Sequence, residues 1–245
     1  MKLQELLNLL GGVRDVVAGD YVIPSPLPQC RKCKICLNPN GNICEEFTFG
    51  NIRSEIMDDG KTRFNCKGKQ IFHFVGLSTF SEYAVVREAA VYKSKAPLDK
   101  VCLIGCGVTT GYGAPFNSCN VTKGSTVGVG EWVQLGYLLF WVVKQKGQKK
   151  LLELITCIIG VSDGDLCINA AELVCFGRTI RGCVVGGYKT RDAMPMLVEK
   201  YLKGELPLEK FIDWRFPLIQ INEGIEHLKN SRGIRSVITV AGDNK

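Results

Sequence analysis

The chain has 245 residues, 46% of them hydrophobic and 22% charged, with a formal net charge of +7. That apolar fraction can bury a core in one large domain or two small ones, and it excludes a disordered chain. Basic residues are spread along the sequence except at Lys144, Lys146, Lys149 and Lys150, a run that reads either as a phosphate contact or as a solvated loop. No aromatic residues interleave with them in the manner of a nucleic-acid surface, so no nucleic-acid partner is expected.

The opening MKLQELLNLLGG carries Gln4, Glu5 and Asn8 inside its apolar run, which a secretory signal would not. The longest apolar run, Leu135 to Val143, falls short of the ~20 residues a membrane helix needs. No membrane partner is expected. Without a signal, the twelve cysteines point to reduced thiols and metal rather than disulfides, and to a cytoplasmic protein.

In chain order, Gly19 and Asp20 predict a turn into a short strand, YVIP. A cysteine-rich lobe then interrupts. Asp58-Asp59-Gly60 marks a second turn. TRFNC and KQIFHF predict a hairpin that reverses at Lys67-Gly68 and places His73 in a strand. SEYAVVR, residues 81 to 87, predicts another strand. VCLIGCGVTTGYGAPF runs through glycines into a helix that Thr109 or Thr110 can cap. STVGVG (125 to 130) and CIIGV (157 to 161) read as short buried strands. Met194, Leu197, Val198, Tyr201 and Leu202 follow a helical period that Gly204 stops, and Ile221, Ile225 and Leu228 mark a second amphipathic helix. IRSVITV, 234 to 240, is a closing strand.

Two motifs carry chemistry. Cys30, Cys33, Cys36 and Cys44 give C-x2-C-x2-C-x7-C among lysines, prolines and asparagines rather than aliphatic residues. A C-x2-C step turns two thiolates toward one point, and Pro39, Asn40 and Gly41 supply the turn that brings Cys44 back. Four soft ligands suit a tetrahedral zinc, and with no open position that metal is structural. An iron-sulfur cluster also uses closely spaced cysteines, but its last gap is three, followed by proline. Here the gap is seven and no proline follows. Lys32 and Lys34 lie between the ligands and offset their charge.

The second motif, GVGEWV, fits G-x-G-x-x-G at Gly128 and Gly130, with Val133 in the third place. Two glycines permit the tight turn and the approach of a pyrophosphate to a helix N-terminus, whereas Val133 pushes the helix away. The acid expected about 20 residues on has one candidate, Glu153, with no strand leading to it. A plain glycine turn explains these residues equally well.

Taken together, VVAGDYVIPSPLPQCRKCKICLNPNGNIC, DDGKTRFNCKGKQIFHFVGLSTFSEYAVV, LDKVCLIGCGVTTGYGAPFNSCNVTKGSTV, FGRTIRGCVVGGYKTRD and INEGIEHLKNSRGIRSVITV resemble the zinc-containing, medium-chain alcohol dehydrogenases of animals. The order of the segments is also that family's. The resemblance implies an α/β fold: a chaperonin-10-like β-barrel catalytic domain plus a Rossmann-type coenzyme domain, here truncated. It implies a first part of the catalytic domain over 1–106, with the zinc lobe at 29–45. The shortened coenzyme domain then spans 107–184, and 185–245 return to the catalytic domain. By the same likeness, Cys30, Cys33, Cys36 and Cys44 hold structural zinc, and Cys106 is the last of three protein ligands to a catalytic zinc. Thr110 lies against the nicotinamide of NAD, Arg235 near its pyrophosphate, and Phe74 in the substrate pocket. The implied substrates are small alcohols and aldehydes, and the implied partner is a second copy or a full-length relative, paired through coenzyme-domain strands.

Two departures from the family pattern set a further expectation. The residues that would hold its first cysteine and its histidine ligand fall before VVAGD, where these 245 residues offer neither Cys nor His. The two histidines present, His73 and His227, match no ligand position. A catalytic zinc needs three protein ligands and an open site, and Cys106 supplies one. The stretch KQKGQKKLLELIT replaces the family's middle strands, and Cys106 to Cys183 is too short for a six-stranded sheet with crossovers of ~30 residues per βαβ unit. A shortened, zinc-stabilised chain without turnover is therefore expected. An active oxidoreductase and an unrelated zinc-stabilised interaction module are the alternatives.

Overall fold

The computed structural model describes residues 14–47, 56–57, 59–123, 125, 127–128, 155–159 and 167–240. They contain α-helices and β-strands and form two compact units. One comprises Met1–Cys106 with Lys189–Lys245, the other Gly107–Tyr188. No helix among the described residues is long and apolar enough to cross a membrane.

The first unit opens with the expected turn, in which the Asp20 amide donates to Val17 O at 3.1 Å and the Val17 amide to the Asp20 carboxylate at 2.8 Å. It feeds β1 (Val22–Pro24). The four-cysteine lobe follows, with one helical turn, α1 (Lys34–Leu37). The hairpin forms as expected from β2 (Phe64–Cys66) and β3 (Lys69–Ile71), with Cys66 opposite Lys69. Lys67 and Gly68 both take positive φ, 49° and 77°, the type I′ geometry whose twist matches the strands.

Residues 81–87 form no strand. The Ser81 hydroxyl instead donates to the carbonyls of Ser78 and Tyr83, at 3.1 and 2.7 Å, and such local bonds compete with a ladder. The strand comes slightly later, as β4 (Val91–Lys93), antiparallel to β1 with Ile23 opposite Tyr92. Val22, Ile23, Val91 and Tyr92 are all buried there. A helical turn α2 (Leu98–Val101) and a 3-10 turn (Cys102–Gly105) close this half and bury Val101 and Ile104 completely.

The second unit begins with α3 (Gly107–Gly113) and a π-turn (Ala114–Ser118). Thr109 and Thr110 lie inside α3 and are buried, so neither caps it. The expected strand at 125–130 falls largely outside the described residues; Ser125, Val127 and Gly128 are described and carry no strand. The strand at CIIGV is present as β5 (Ile155–Ile159), but it is half-buried, with alternate residues exposed. Helix α4 (Ala170–Cys175) and β6 (Thr179–Cys183) follow, and β6 pairs parallel to β5 with Ile159 opposite Cys183. A parallel pair requires a crossover connection, which α4 occupies. The turn Val185–Gly187 then meets α3 backbone to backbone. A Cβ on Gly186 would strike Thr109 O and Gly113 Cα, and φ of +67° also selects glycine.

The chain returns to the first unit through α5 (Thr190–Leu202), which buries Ala193, Met194, Leu197 and Val198. Its end falls at Gly204 as expected. The Glu205 amide donates to Lys200 O and the Gly204 amide to Tyr201 O, both at 2.9 Å, the paired bonds of a Schellman motif. Next come β7 (Trp214–Pro217), α6 (Ile221–Lys229) and β8 (Ser236–Thr239), with β7 and β8 parallel.

In α6 the buried residue is Gly224, with Ile238 and Phe216 close above it, whereas Ile225 and Leu228 are exposed. The helix is where the apolar period placed it, but close approach at a glycine chose the packed face. His227 lies on that face, edge-on to Trp214 and Phe216 at 4.6 and 5.2 Å. His73 lies beyond β3 rather than in it, and is buried. Its Nε2 accepts from the Arg63 amide at 3.2 Å and its ring lies 4.9 Å from that of Phe64.

Candidate functional site

The four cysteines of the lobe converge. Their Sγ atoms all lie within 4.8 Å of one another, with Cys30–Cys36 at 3.8 Å and Cys33–Cys44 at 3.9 Å. A tetrahedral zinc with Zn–S bonds of ~2.3 Å requires sulfurs ~3.8 Å apart, so the observed spacing fits that ion.

Local backbone geometry produces the convergence. Arg31, in the left-handed region at φ 64°, turns the amides of Lys32 and Cys33 toward Cys30 Sγ, at 3.4 and 3.3 Å. Cys33 caps α1 by accepting the Cys36 amide at 3.3 Å. The Cys36 amide favours the thiolate of Cys33 over its thiol. The chain then reverses at Asn38 to Gly41. There the Asn38 side chain accepts the Asn40 amide at 2.9 Å, and Asn38 O accepts the Gly41 amide at 3.2 Å. The reversal returns Cys44 to the cluster.

Protonation differs among Cys33, Cys36 and Cys44. Burial raises the Cys36 thiol to about 12 and pushes Cys44 up as well. Burial also opposes ionisation of Cys33, but the amides of Cys36 and Glu45 outweigh it and hold this thiol at about 6. Four adjacent sulfurs cannot all ionise unaided, and a divalent cation removes that conflict.

The lobe is anchored by residues that spacing alone does not reveal. Lys189 Nζ donates to Cys36 O at 2.6 Å. Arg31 pairs with Asp192 at 2.6 Å, in the acid-favouring first turn of α5, and the Arg191 amide donates to Gln29 Oε1 at 3.0 Å. The buried Thr190 and Tyr92 hydroxyls share a hydrogen bond at 2.8 Å, and both reach Leu27 O. The one signal for this in the sequence was the polar run KTRD at the start of an amphipathic helix.

The remaining expected residues form no second metal group. Cys106 is exposed at the end of the 3-10 turn. The guanidinium of Arg235 lies within electrostatic reach of it, and burial lowers the arginine's pKa. Among the described residues, the four-cysteine lobe is the one set of side chains that could hold a metal, so Cys102 joins Cys106 in no such group. A catalytic zinc at Cys106 does not fit the residues described. Thr110 is buried within α3. A Cβ on Gly128 would meet nothing within 4 Å, so no close approach demands glycine there. Gly130, Val133 and Glu153 lie outside the described residues. Phe74 is 75% exposed.

No protein-family model matches the chain. Alcohol dehydrogenase class-3 of Caenorhabditis elegans is 31% identical to it over 300 residues, covering 93% of this chain and 78% of that protein. Among solved structures, an alcohol dehydrogenase zinc-binding domain protein from Burkholderia ambifaria is 21% identical, with a TM-score of 0.75. It covers 93% of this chain and 79% of the other. Benzyl alcohol dehydrogenase from Acinetobacter calcoaceticus matches with the same identity and coverage and a TM-score of 0.73. At such identity these structures show the fold. It is the expected α/β arrangement of a chaperonin-10-like barrel domain with a truncated Rossmann-type domain.

Proposed function

The chain belongs to the zinc-containing alcohol dehydrogenase family, and from that premise we propose two things about its 245 residues. They hold one structural zinc at Cys30, Cys33, Cys36 and Cys44. As an isolated polypeptide, they do not interconvert alcohols and aldehydes.

The observation that carries this reading is a contrast between sulfur groups. Four thiols stand at tetrahedral spacing in the lobe, while no comparable set surrounds Cys106 among the described residues. When bound, the ion supplies four strong bonds that tie residues 30 to 44 together, and it leaves no position for substrate. The chain's own groups supply the rest. Amides of Lys32 and Cys33 donate to Cys30 Sγ and that of Cys36 to Cys33 Sγ, and Lys189 and Arg31 hold the lobe against α5.

Oxidation of an alcohol in this family relies on a metal that lowers the pKa of the alcohol oxygen, and a single thiolate cannot retain it. By the resemblance, Cys106, Thr110, Gly128, Gly130 and Arg235 correspond to residues the family uses for the catalytic metal and for NAD, and among the described residues no metal-holding group forms around Cys106. A shortened chain is supported by the length of the alignment. It runs over 300 residues, more than the 245 of this chain, so parts of the relative have no counterpart here.

Metal analysis and an NADH absorbance assay on the purified 245-residue chain test the reading. The expected result is one zinc per chain and no NADH from NAD with ethanol or a longer alcohol. Two zinc ions per chain with alcohol-dependent NADH would overturn it.

A second reading, pairing with a full-length relative, draws support from β5 and β6, which persist as a parallel pair with Ile158 40% exposed. Native mass spectrometry after co-expression with such a relative would show the heterodimer.

A further inference from the structure

Gln29 immediately precedes the first cysteine of the lobe and is 3% exposed, and each of its polar atoms has a partner. Its amide donates to Ala89 O at 3.3 Å, and its carbonyl accepts Arg191 Nη1 at 3.5 Å. Its side chain reaches the start of α5. There Oε1 accepts the Arg191 amide at 3.0 Å, and Nε2 donates to the Asp192 carboxylate at 3.4 Å. Moving a buried glutamine out of such a setting strands donors and acceptors away from water, so its position is closely fixed.

Helix α5 depends on that contact. The first four amides of a helix have no partner within it. Lys189, at the N-cap, makes no side-chain cap bond. The amides of Asp192 and Ala193 turn back to Lys189 O, at 3.0 and 2.9 Å, and the Arg191 amide is met by Gln29. Gln29 thus caps, from 162 residues away in sequence, a helix whose own N-cap side chain does not. It is also bonded directly to Cys30, whose sulfur lies 3.8 Å from that of Cys36. Displacing Gln29 would carry Cys30 with it.

We propose that Gln29 is a positioning residue for the structural zinc: its cap on α5 fixes Cys30, so that zinc binding and the first turn of α5 stabilise one another. The inference rests on the zinc reading of the four-cysteine lobe. With the ion bound, Cys30 is tied to three other sulfurs, and Gln29 is already ordered when it meets the helix. Less chain entropy is then lost in forming the cap. Linkage makes the effect reciprocal. The factor by which the cap raises zinc affinity is the factor by which zinc stabilises the cap. Loss of a helix cap that leaves a buried amide unmet corresponds to about 5- to 30-fold.

Two measurements on the full 245-residue chain test this: zinc affinity by competition with a chromogenic chelator, and hydrogen exchange at the Arg191 amide. Gln29→Met keeps the side-chain length without its hydrogen bonds, and should bind one zinc about 5- to 30-fold more weakly. In the wild-type chain, removing zinc should speed exchange at Arg191, whereas in Gln29→Met it should make no difference. Gln29→Glu combined with Asp192→Asn restores an acceptor for the Arg191 amide and a donor beside it, and should recover most of the affinity. Gln29→Glu alone brings two carboxylates together and should not. Wild-type affinity in Gln29→Met, no recovery in the combined variant, or wild-type exchange at Arg191 indifferent to zinc would each overturn the proposal and leave the structural zinc in place. A wild-type chain that binds no zinc would overturn both.

Discussion

Substituting Cys44→Ser isolates the contribution of the tetrathiolate. Cys44 is 2% exposed, and its sulfur lies 3.9 Å from that of Cys33, so it is the ligand that closes the loop. Structural zinc binds comparable small sites with ~10–16 kcal/mol. Shared over four bonds, each ligand carries ~3–4 kcal/mol, a loss of ~10²–10³-fold in affinity when one is removed. That energy is also folding energy for residues 30 to 44, which bury little besides the cysteines themselves. The polar anchors cannot compensate, because the Arg31–Asp192 pair is half exposed and such pairs contribute ~0–1 kcal/mol. Hydrogen exchange over residues 29–47 should therefore accelerate strongly in Cys44→Ser, with zinc lost on dialysis. Exchange in α5 beyond its first turn should stay near wild type. Cys66→Ser, at an exposed cysteine outside the cluster, should keep both the zinc and the protection. If Cys44→Ser held one zinc per chain with wild-type protection across the lobe, the tetrathiolate reasoning would be refuted.

His73 sets an acid limit on stability. Burial first, then the charges of Arg63 and Arg87, lowers its pKa below the ordinary 6.5, so the folded state prefers the neutral ring. This contribution is present above pH ~6.5 and is lost as pH falls through the lower folded value. His73→Phe should flatten the pH dependence of the urea midpoint below pH ~6.5, and an unchanged slope would contradict this. In α5, Leu197 is fully buried and Leu202 is 57% exposed. Leu197→Ala should cost ~2–5 kcal/mol in urea unfolding and Leu202→Ala about 0.5 kcal/mol or less.

The four-cysteine lobe was legible because its instructions are local. The cysteine spacing, the turn at Asn38 to Gly41 and the amides that meet Cys30 and Cys33 all lie within a few residues of the sulfurs they position. The same holds for the Lys67-Gly68 hairpin, for the stop of α5 at Gly204 and for β8. Turn chemistry and apolar period act over one or two turns of chain, so they can be read without knowing what lies across the core.

Contacts between distant residues left no such trace. β1 pairs with Val91–Lys93, some seventy residues on, while SEYAVVR satisfies its polar groups locally and stays out of the sheet. Gly224, not the apolar Ile225 and Leu228, became the packed face of α6 because two side chains crowd that position. Nor can the approach of Arg235 to Cys106 be inferred from spacing. Those juxtapositions depend on strand register and close packing. A shift of one residue in register reverses every side chain, and the sequence carries no local mark of where the partner strand will be.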